Sequence, residues 1–164
     1  MPSYYRYGQI EAALVEVFNV PGSAFGAFRA KLRHLRNIGV PKIAKVGSGK
    51  QVRYTRENAI EMLLALEFVA LGIAPRYAAT YAAGGTAKIF AEDSSYYDGY
   101  LFINPQPFDF PWLAGTPRNI KEWVKSISTG QEPLPQRFAL INVLRSINNL
   151  DEALLRLIAD KKDT

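Results

Sequence analysis

The sequence predicts an α+β fold in two domains, one over residues 1–83 and a small α+β domain over residues 84–164. Apolar residues recur at helical spacing through most of the first domain. After residue 84, short stretches of strand composition alternate with helical stretches. Gly84 and Gly85 lie where the two patterns meet, so the boundary is predicted there.

Stripes of apolar residues predict the first two helices. The first covers residues 7–18 and ends before the Pro-Gly pair at 21–22. The second covers residues 23–38, with Ser23 as its N-cap and Gly39 as its stop signal. Its apolar stripe consists of Phe25, Phe28, Leu32, Leu35 and Ile38.

A basic hairpin and two more helices complete the predicted N-terminal domain. Strands at 43–46 and 51–55 are joined by a Gly-Ser-Gly-Lys turn. Thr55 caps a third helix that ends near Leu71, with Asn58 at the capping-box position where Glu is usual. Pro75 suits the first turn of a fourth helix that extends through residue 83.

The predicted C-terminal domain mixes strands and helices around a proline-rich loop. Its amphipathic last helix should pack on a sheet, which fits dimerisation, ligand sensing or docking of a protein partner. Its predicted elements are strands at 88–91, 100–104 and 138–144, a loop at 105–117, and helices at 119–128 and 151–160.

Composition excludes several classes of function. The 164 residues are 48% hydrophobic, so the chain can bury a core, and the absence of cysteine excludes disulfides and thiol catalysis. With one histidine and no catalytic constellation, we expect no enzyme, no metal site and no cofactor. No apolar run reaches the ~18 residues of a membrane span, so a cytoplasmic protein is expected.

Charge is concentrated in the N-terminal half. Residues 1–85 hold 11 Lys or Arg and 5 Asp or Glu, a balance of +6, whereas residues 86–164 hold 9 and 10, a balance of −1. Between Glu16 and Glu57 there are nine basic residues and no acidic one. A folded surface with one sign of charge is typical of a protein that binds a polyanion, most often nucleic acid.

The helix order and the basic hairpin predict a winged helix-turn-helix, whose second helix enters the DNA major groove. The outward side of that helix carries residues suited to base edges: Arg29, Arg33, His34 and Asn37. Phosphate contacts are predicted for Lys31, Arg36, Lys45, Lys50 and Arg53. Three tyrosines at the start of the chain, at positions 4, 5 and 7, are packing residues or an arm that donates to phosphates.

The N-terminal half resembles the DNA-binding domain of MerR-type regulators over about residues 7–83. The resemblance lies in Leu32-Arg33-His34-Leu35-Arg36-Asn37-Ile38-Gly39-Val40, in Gln51-Val52-Arg53-Tyr54-Thr55-Arg56-Glu57-Asn58, and in the helix ending Leu71-Gly72-Ile73. It implies that Arg33 is the arginine of the recognition helix, Arg53 a wing arginine and Tyr54 the tyrosine that closes the wing. His34 and Leu35 replace two tyrosines of the family pattern, and Gly84-Gly85 stands where the long dimerisation helix begins.

These observations predict a sequence-specific, double-stranded DNA-binding transcriptional regulator of a bacterium or phage. We expect a homodimer formed through the C-terminal domain, because palindromic sites require a symmetric dimer. The alternative is an excisionase-like architectural or recombination factor, since phage excisionases share the winged module. A third hypothesis is an interaction module or small enzyme whose basic face binds another acidic partner.

Overall fold

A computed structural model describes residues 4–43, 52–92, 100–103, 112–114, 125 and 139–159 of the chain. Helices predominate, and three short strands form one sheet within these residues. In chain order the elements are α1 (Tyr7–Val17), a 3-10 turn (Gly22–Ala24), α2 (Phe25–Asn37), α3 (Arg56–Ala70), α4 (Pro75–Tyr81), a π-helical segment (Ala82–Thr86), α5 (Ala87–Glu92), β1 (Tyr100–Ile103), β2 (Trp112–Ala114), β3 (Ala139–Asn142) and α6 (Val143–Ala159).

The predicted ends of α2 and α3 are confirmed. Gly39 has a φ of 95°, and the chain leaves α2 through the hydrogen bonds Gly39 N to Arg36 O (3.0 Å) and Val40 N to Leu35 O (3.0 Å). This pair of bonds defines a Schellman motif, which glycine accommodates without steric penalty. Gly72, with a φ of 85°, ends α3 by the same arrangement.

Helix α3 is the central element of the fold. At its start, Thr55 Oγ1 accepts from Asn58 N (3.2 Å) and Asn58 Oδ1 accepts from Thr55 N (3.0 Å), so the predicted capping box forms with Asn in place of Glu. Every residue from 59 to 66 is buried. A helix that is buried on all sides must be surrounded by other elements, and α2, α4, α5 and α6 all pack on it.

The chain stays helical across the predicted domain boundary. Helix α4, the π-helical segment and α5 follow one another directly through Gly84 and Gly85. The predicted strand at 88–91 is wrong, because Ala87 and Phe90 are buried at helical spacing in α5, which packs on α3. The division into domains at residue 84 stays a prediction.

The sheet lies in the C-terminal part and confirms two of the predicted strands. Its order is β2-β1-β3 with antiparallel neighbours, and Leu101 of β1 pairs with Ile141 of β3. Strand β2 falls within the stretch predicted as a proline-rich loop, which corrects that part of the prediction. The predicted helix at 119–128 lies outside the described residues, apart from Lys125.

The last helix begins earlier than predicted. It starts at Val143 instead of residue 151, directly after β3, because its apolar stripe extends back in steps of three or four residues. Asn142 caps it, with the side-chain oxygen accepting from Arg145 N at 2.9 Å. The buried residues of the stripe are Val143, Ile147, Leu150, Ala153 and Leu154.

One core joins the two parts of the chain. Helix α6 packs along α1 and also contacts α3, and its buried residues belong to the same hydrophobic cluster as those of α1, α2 and α3. Ser146 on α6 donates to the half-buried Glu67 of α3 at 2.9 Å, and burial raises the pKa of Glu67. The helices, together with the three-stranded sheet, confirm the broad α+β class. None of the described helices is long and apolar enough to cross a membrane.

Candidate nucleic-acid interface

The predicted outward face of α2 is exposed to solvent. Arg33, His34 and Asn37 are all exposed, whereas Phe28, Leu32 and Leu35 on the opposite side are buried. This division follows from the helical period, because positions three and four apart share a face. The end residues of the predicted stripe differ from expectation, since Phe25 and Ile38 remain 39% and 38% exposed.

The exposed face of α2 begins with two small residues, Gly26 and Ala30. A Cβ atom added to Gly26 would meet no other atom within 4 Å, so the space above the helix is open. Ala30, one turn further on, is also exposed. A large partner can therefore approach the backbone of α2 closely on this side.

Arg29, predicted to face base edges, is engaged within the protein. Its Nε lies 2.6 Å from the Glu11 carboxylate on α1, and the two side chains are 62% and 17% exposed. The ion pair holds Arg29 toward α1 and cancels its charge locally. Of the residues predicted to face base edges, Arg33, His34 and Asn37 therefore remain available together on the exposed side of α2.

A basic cleft lies beside the C-terminal end of α2. It has a volume of about 470 Å³ and is bounded by α2, by residues 39–43 and by residues 52–54. Among the described residues that line it, three are cations and none is a carboxylate. The polar lining residues are Arg33, Arg36, Asn37 and Lys42, and Tyr54 forms part of the opposite wall.

A buried carboxylate holds one wall of the cleft. Both oxygens of Glu61 on α3 accept from the backbone N–H of Lys42, at 2.9 and 3.1 Å. Glu61 is only 4% exposed, and burial raises its pKa while the hydrogen bond from Lys42 acts in the opposite direction. Sequence analysis missed this contact; its only signal was an acidic residue inside the apolar run of α3.

The opposite wall is joined to residues 4–7, here called the N-terminal arm, whose last residue is also the first residue of α1. Tyr5 and Tyr54 form an antiparallel bridge with N–H to oxygen distances of 2.7 and 3.0 Å, and both are 2% exposed. The Tyr7 ring packs on the Tyr54 ring with centroids 6.0 Å apart. Residues 52–55, predicted as part of a hairpin strand, therefore pair with the arm at this point. The rest of that hairpin, residues 44–51, lies outside the described residues.

Two arginines of the predicted site lie over tyrosines of the arm. The Arg36 guanidinium carbon is 4.2 Å from the centre of the Tyr7 ring, and that of Arg53 is 5.7 Å from the centre of the Tyr4 ring. Both distances are within the range of cation–π attraction. Burial raises the pKa of Tyr7, against a hydrogen bond from Arg36 that lowers it.

The other cations of the basic run do not line the basic cleft as described. Lys31 is exposed but borders a separate, mostly apolar groove of about 270 Å³ that includes Phe28 and Leu66. Lys45 and Lys50 lie outside the described residues. Arg56, the last cation of the basic run, is turned away from the cleft and pairs with Asp151 on α6.

The described residues contain no group of three His, Asp or Glu side chains that could hold a metal ion. Comparison with known proteins adds no relationship: no protein-family model matches the chain, and no curated protein matches it.

Proposed function

We propose that this protein is a sequence-specific, double-stranded DNA-binding transcriptional regulator that inserts α2 into the major groove. The observation that carries the proposal is the basic cleft beside the exposed face of α2. Arg33 and Asn37 lie one turn apart on that face and also line the cleft, where no described carboxylate opposes them. Such a surface attracts a polyanion and offers it side chains that distinguish bases.

The dimensions of α2 suit this role. A helix with its side chains is about 10–12 Å across, and the major groove of B-DNA is about 12 Å wide. Gly26 and Ala30 leave space for close approach at the start of the exposed face. In this arrangement Arg33 donates two hydrogen bonds to guanine, and Asn37 pairs with adenine. His34, exposed beside them, contacts a neighbouring base edge.

Cations around the cleft supply the phosphate contacts. Arg36 and Lys42 line it, and Arg53 follows the lining residue Val52. Phosphate contacts fix the register of a protein on DNA, and each neutralised phosphate makes binding more sensitive to salt. Lys45 and Lys50 remain part of the proposal as phosphate contacts of the wing.

The proposal includes a homodimer formed through the C-terminal part. The described C-terminal residues contribute two large exposed apolar side chains that a dimer would cover, Leu155 on α6 (47% exposed) and Ile89 on α5 (36% exposed). A symmetric dimer would bind an inverted repeat, with half-sites about one helical turn apart or a multiple of that distance. A regulator of this kind acts on the bacterial nucleoid, so we propose a cytoplasmic location and no catalytic role.

The test is selection of bound duplexes from a randomised DNA library by the purified full-length protein. We expect enrichment of one sequence, arranged as an inverted repeat. Binding without enrichment, lost steeply as salt rises, would replace the regulator by an architectural DNA-binding factor. Absence of duplex binding at low salt would overturn the proposal.

A further inference from the structure

The N-terminal arm supplies aromatic surfaces next to the basic cleft. We infer that this arm belongs to the DNA interface: Tyr4 and Tyr7 hold the guanidinium groups of Arg53 and Arg36 in place for binding to backbone phosphates. The inference rests on the proposed function and adds a second element to the interface beyond α2. Tyr4 and Tyr7 act in it as positioning residues.

The arm has a fixed register on the wall of the cleft. Its two backbone hydrogen bonds join Tyr5 to Tyr54, both of which are buried. In an antiparallel pairing centred on these two residues, Tyr4 and Arg53 are diagonal neighbours on one face, a separation that aromatic and long side chains bridge. The observed contact of 5.7 Å between Arg53 and the Tyr4 ring fits this register.

Stacking on a ring leaves an arginine able to bind phosphate. A guanidinium has five N–H donors, so one that contacts a ring, or donates one hydrogen bond to the tyrosine hydroxyl as Arg36 does, still has donors for a phosphate. Arginine carries large rotamer entropy, so a side chain already ordered by a tyrosine loses less on binding. Arg36 and Arg53 are both exposed, which keeps those donors accessible.

Three other described arginines have acidic partners. Arg29, Arg56 and Arg156 each pair with a carboxylate, which cancels the charge that a phosphate would use. Arg36 and Arg53 instead contact uncharged tyrosine rings, and no described carboxylate pairs with either of them. Arg76, over Tyr77, is held in the same way, but Arg36 lines the cleft and Arg53 lies between the lining residues Val52 and Tyr54.

A double-mutant cycle tests the inference on the full chain. The variants are Tyr4→Leu, Arg53→Gln and their combination, and the probe is a fluorescently labelled mixed-sequence duplex titrated at several salt concentrations. An exposed cation–π contact of ~0.5–1 kcal/mol corresponds to about 2- to 5-fold, so Tyr4→Leu should weaken binding by that factor. Arg53→Gln should weaken it further and reduce the salt slope by about one.

Three comparisons identify a positioning role. Tyr4→Leu should have no added effect in the Arg53→Gln background, and Tyr4→Phe, which keeps the ring, should bind like the wild type. Arg76→Gln is the matched control: Arg76 is exposed and lies 4.5 Å from the ring centre of Tyr77, but neither it nor its chain neighbours line the cleft, whereas Arg53 lies between two lining residues. It should change binding less than Arg53→Gln does.

The outcomes separate this inference from the proposed function. If wild-type protein binds duplex and Arg33→Ala weakens binding, but Tyr4→Leu binds like the wild type, the arm inference is overturned and the function stands. An equal effect of Tyr4→Leu with and without Arg53 would overturn the positioning role. If the wild type binds no duplex at low salt, both fail. Tyr4 is 54% exposed, so its replacement should lower the thermal unfolding midpoint by only a few degrees, and binding is compared at a temperature at which every variant is folded.

Discussion

Arg56 binds the carboxylate of Asp151, a residue 95 positions further along the chain. Its Nε lies 3.0 and 3.2 Å from the two carboxylate oxygens, and its Nη2 lies 2.7 Å from one of them. Its Nη1 donates to the backbone oxygen of Ala91 at 2.7 Å. A single guanidinium therefore joins the start of α3 to α5 and α6.

Replacing Asp151 by alanine should destabilise the protein by about 2 kcal/mol, because the change leaves a partly buried arginine without its charged acceptor. The two side chains are 25% and 16% exposed, so water replaces the lost contacts only in part. Urea unfolding of the full chain measures the loss.

The matched control is Glu92→Gln, which breaks the ion pair between Lys88 and Glu92 on α5. That pair has a separation of 3.9 Å and side chains 65% and 70% exposed, so its loss should change stability by less than ~0.5 kcal/mol. Equal losses for the two variants would show that the Arg56–Asp151 pair contributes no more than a surface pair.

Glu61 should make stability depend on pH. Burial raises its pKa above the ordinary value of 4.5, with the hydrogen bond from Lys42 opposing this shift. Between 4.5 and the raised pKa, the folded state binds more protons than the unfolded state. The contribution of Glu61 to the free energy of unfolding is thus complete below pH 4.5 and decreases as pH rises through the raised pKa.

The measurement is the free energy of unfolding of the wild type minus that of Glu61→Gln, across pH ~4 to ~7. We expect this difference to decrease as pH rises, since glutamine does not titrate. A difference that increases with pH would mean that the Lys42 N–H holds the carboxylate ionised more strongly than burial opposes it.

Arg33→Ala should weaken binding to the selected duplex by about 1–3 kcal/mol and relax preference at one base position. The arginine lies on the exposed face of α2 and lines the cleft. Fluorescence anisotropy with the selected duplex and with single-base variants measures both effects. Arg76→Ala, on α4, is the control for loss of one exposed arginine, and an equal effect of the two would contradict the assignment of α2.

Glu11→Gln should strengthen duplex binding by about 2- to 5-fold at low salt, with a smaller gain at higher salt. The reason is that the Glu11 carboxylate holds Arg29 at 2.6 Å, and its removal frees that arginine on the helix that we propose enters the major groove. Glu92→Gln removes the same charge on α5. If both variants gain equally, the effect comes from net charge and not from Arg29.

Local signals predicted the ends of α2 and α3 and the start of α3, but Ser23, the predicted N-cap of α2, lies within the 3-10 turn and does not cap the helix. The glycines at 39 and 72 and the Thr55 cap act within a few residues of the helix ends that they define, so they are visible in the sequence. The period of α2 likewise predicted which side is exposed. Short apolar runs did not predict the secondary structure correctly. The composition of residues 88–91 suits either a strand or a helix, and the helix forms because it packs on α3.

The partners of the site residues were not predictable in the same way. Glu11 meets Arg29 across two helices, and Asp151 meets Arg56 across most of the chain. Periodicity gives the direction of a side chain on its own element but not which element lies opposite. For the same reason, the sequence does not indicate that Tyr5 pairs with Tyr54, nearly 50 positions away.

The packing of α6 along α1 and α3 has a practical consequence for dissecting the protein. A fragment ending at residue 83 would present to water the surface of α1 and α3 that the buried stripe of α6 covers. Such a fragment would expose a contiguous apolar patch and tend to self-associate. Its apparent affinity for DNA would then combine binding with aggregation, so dissection of the interface calls for point substitutions in the intact chain.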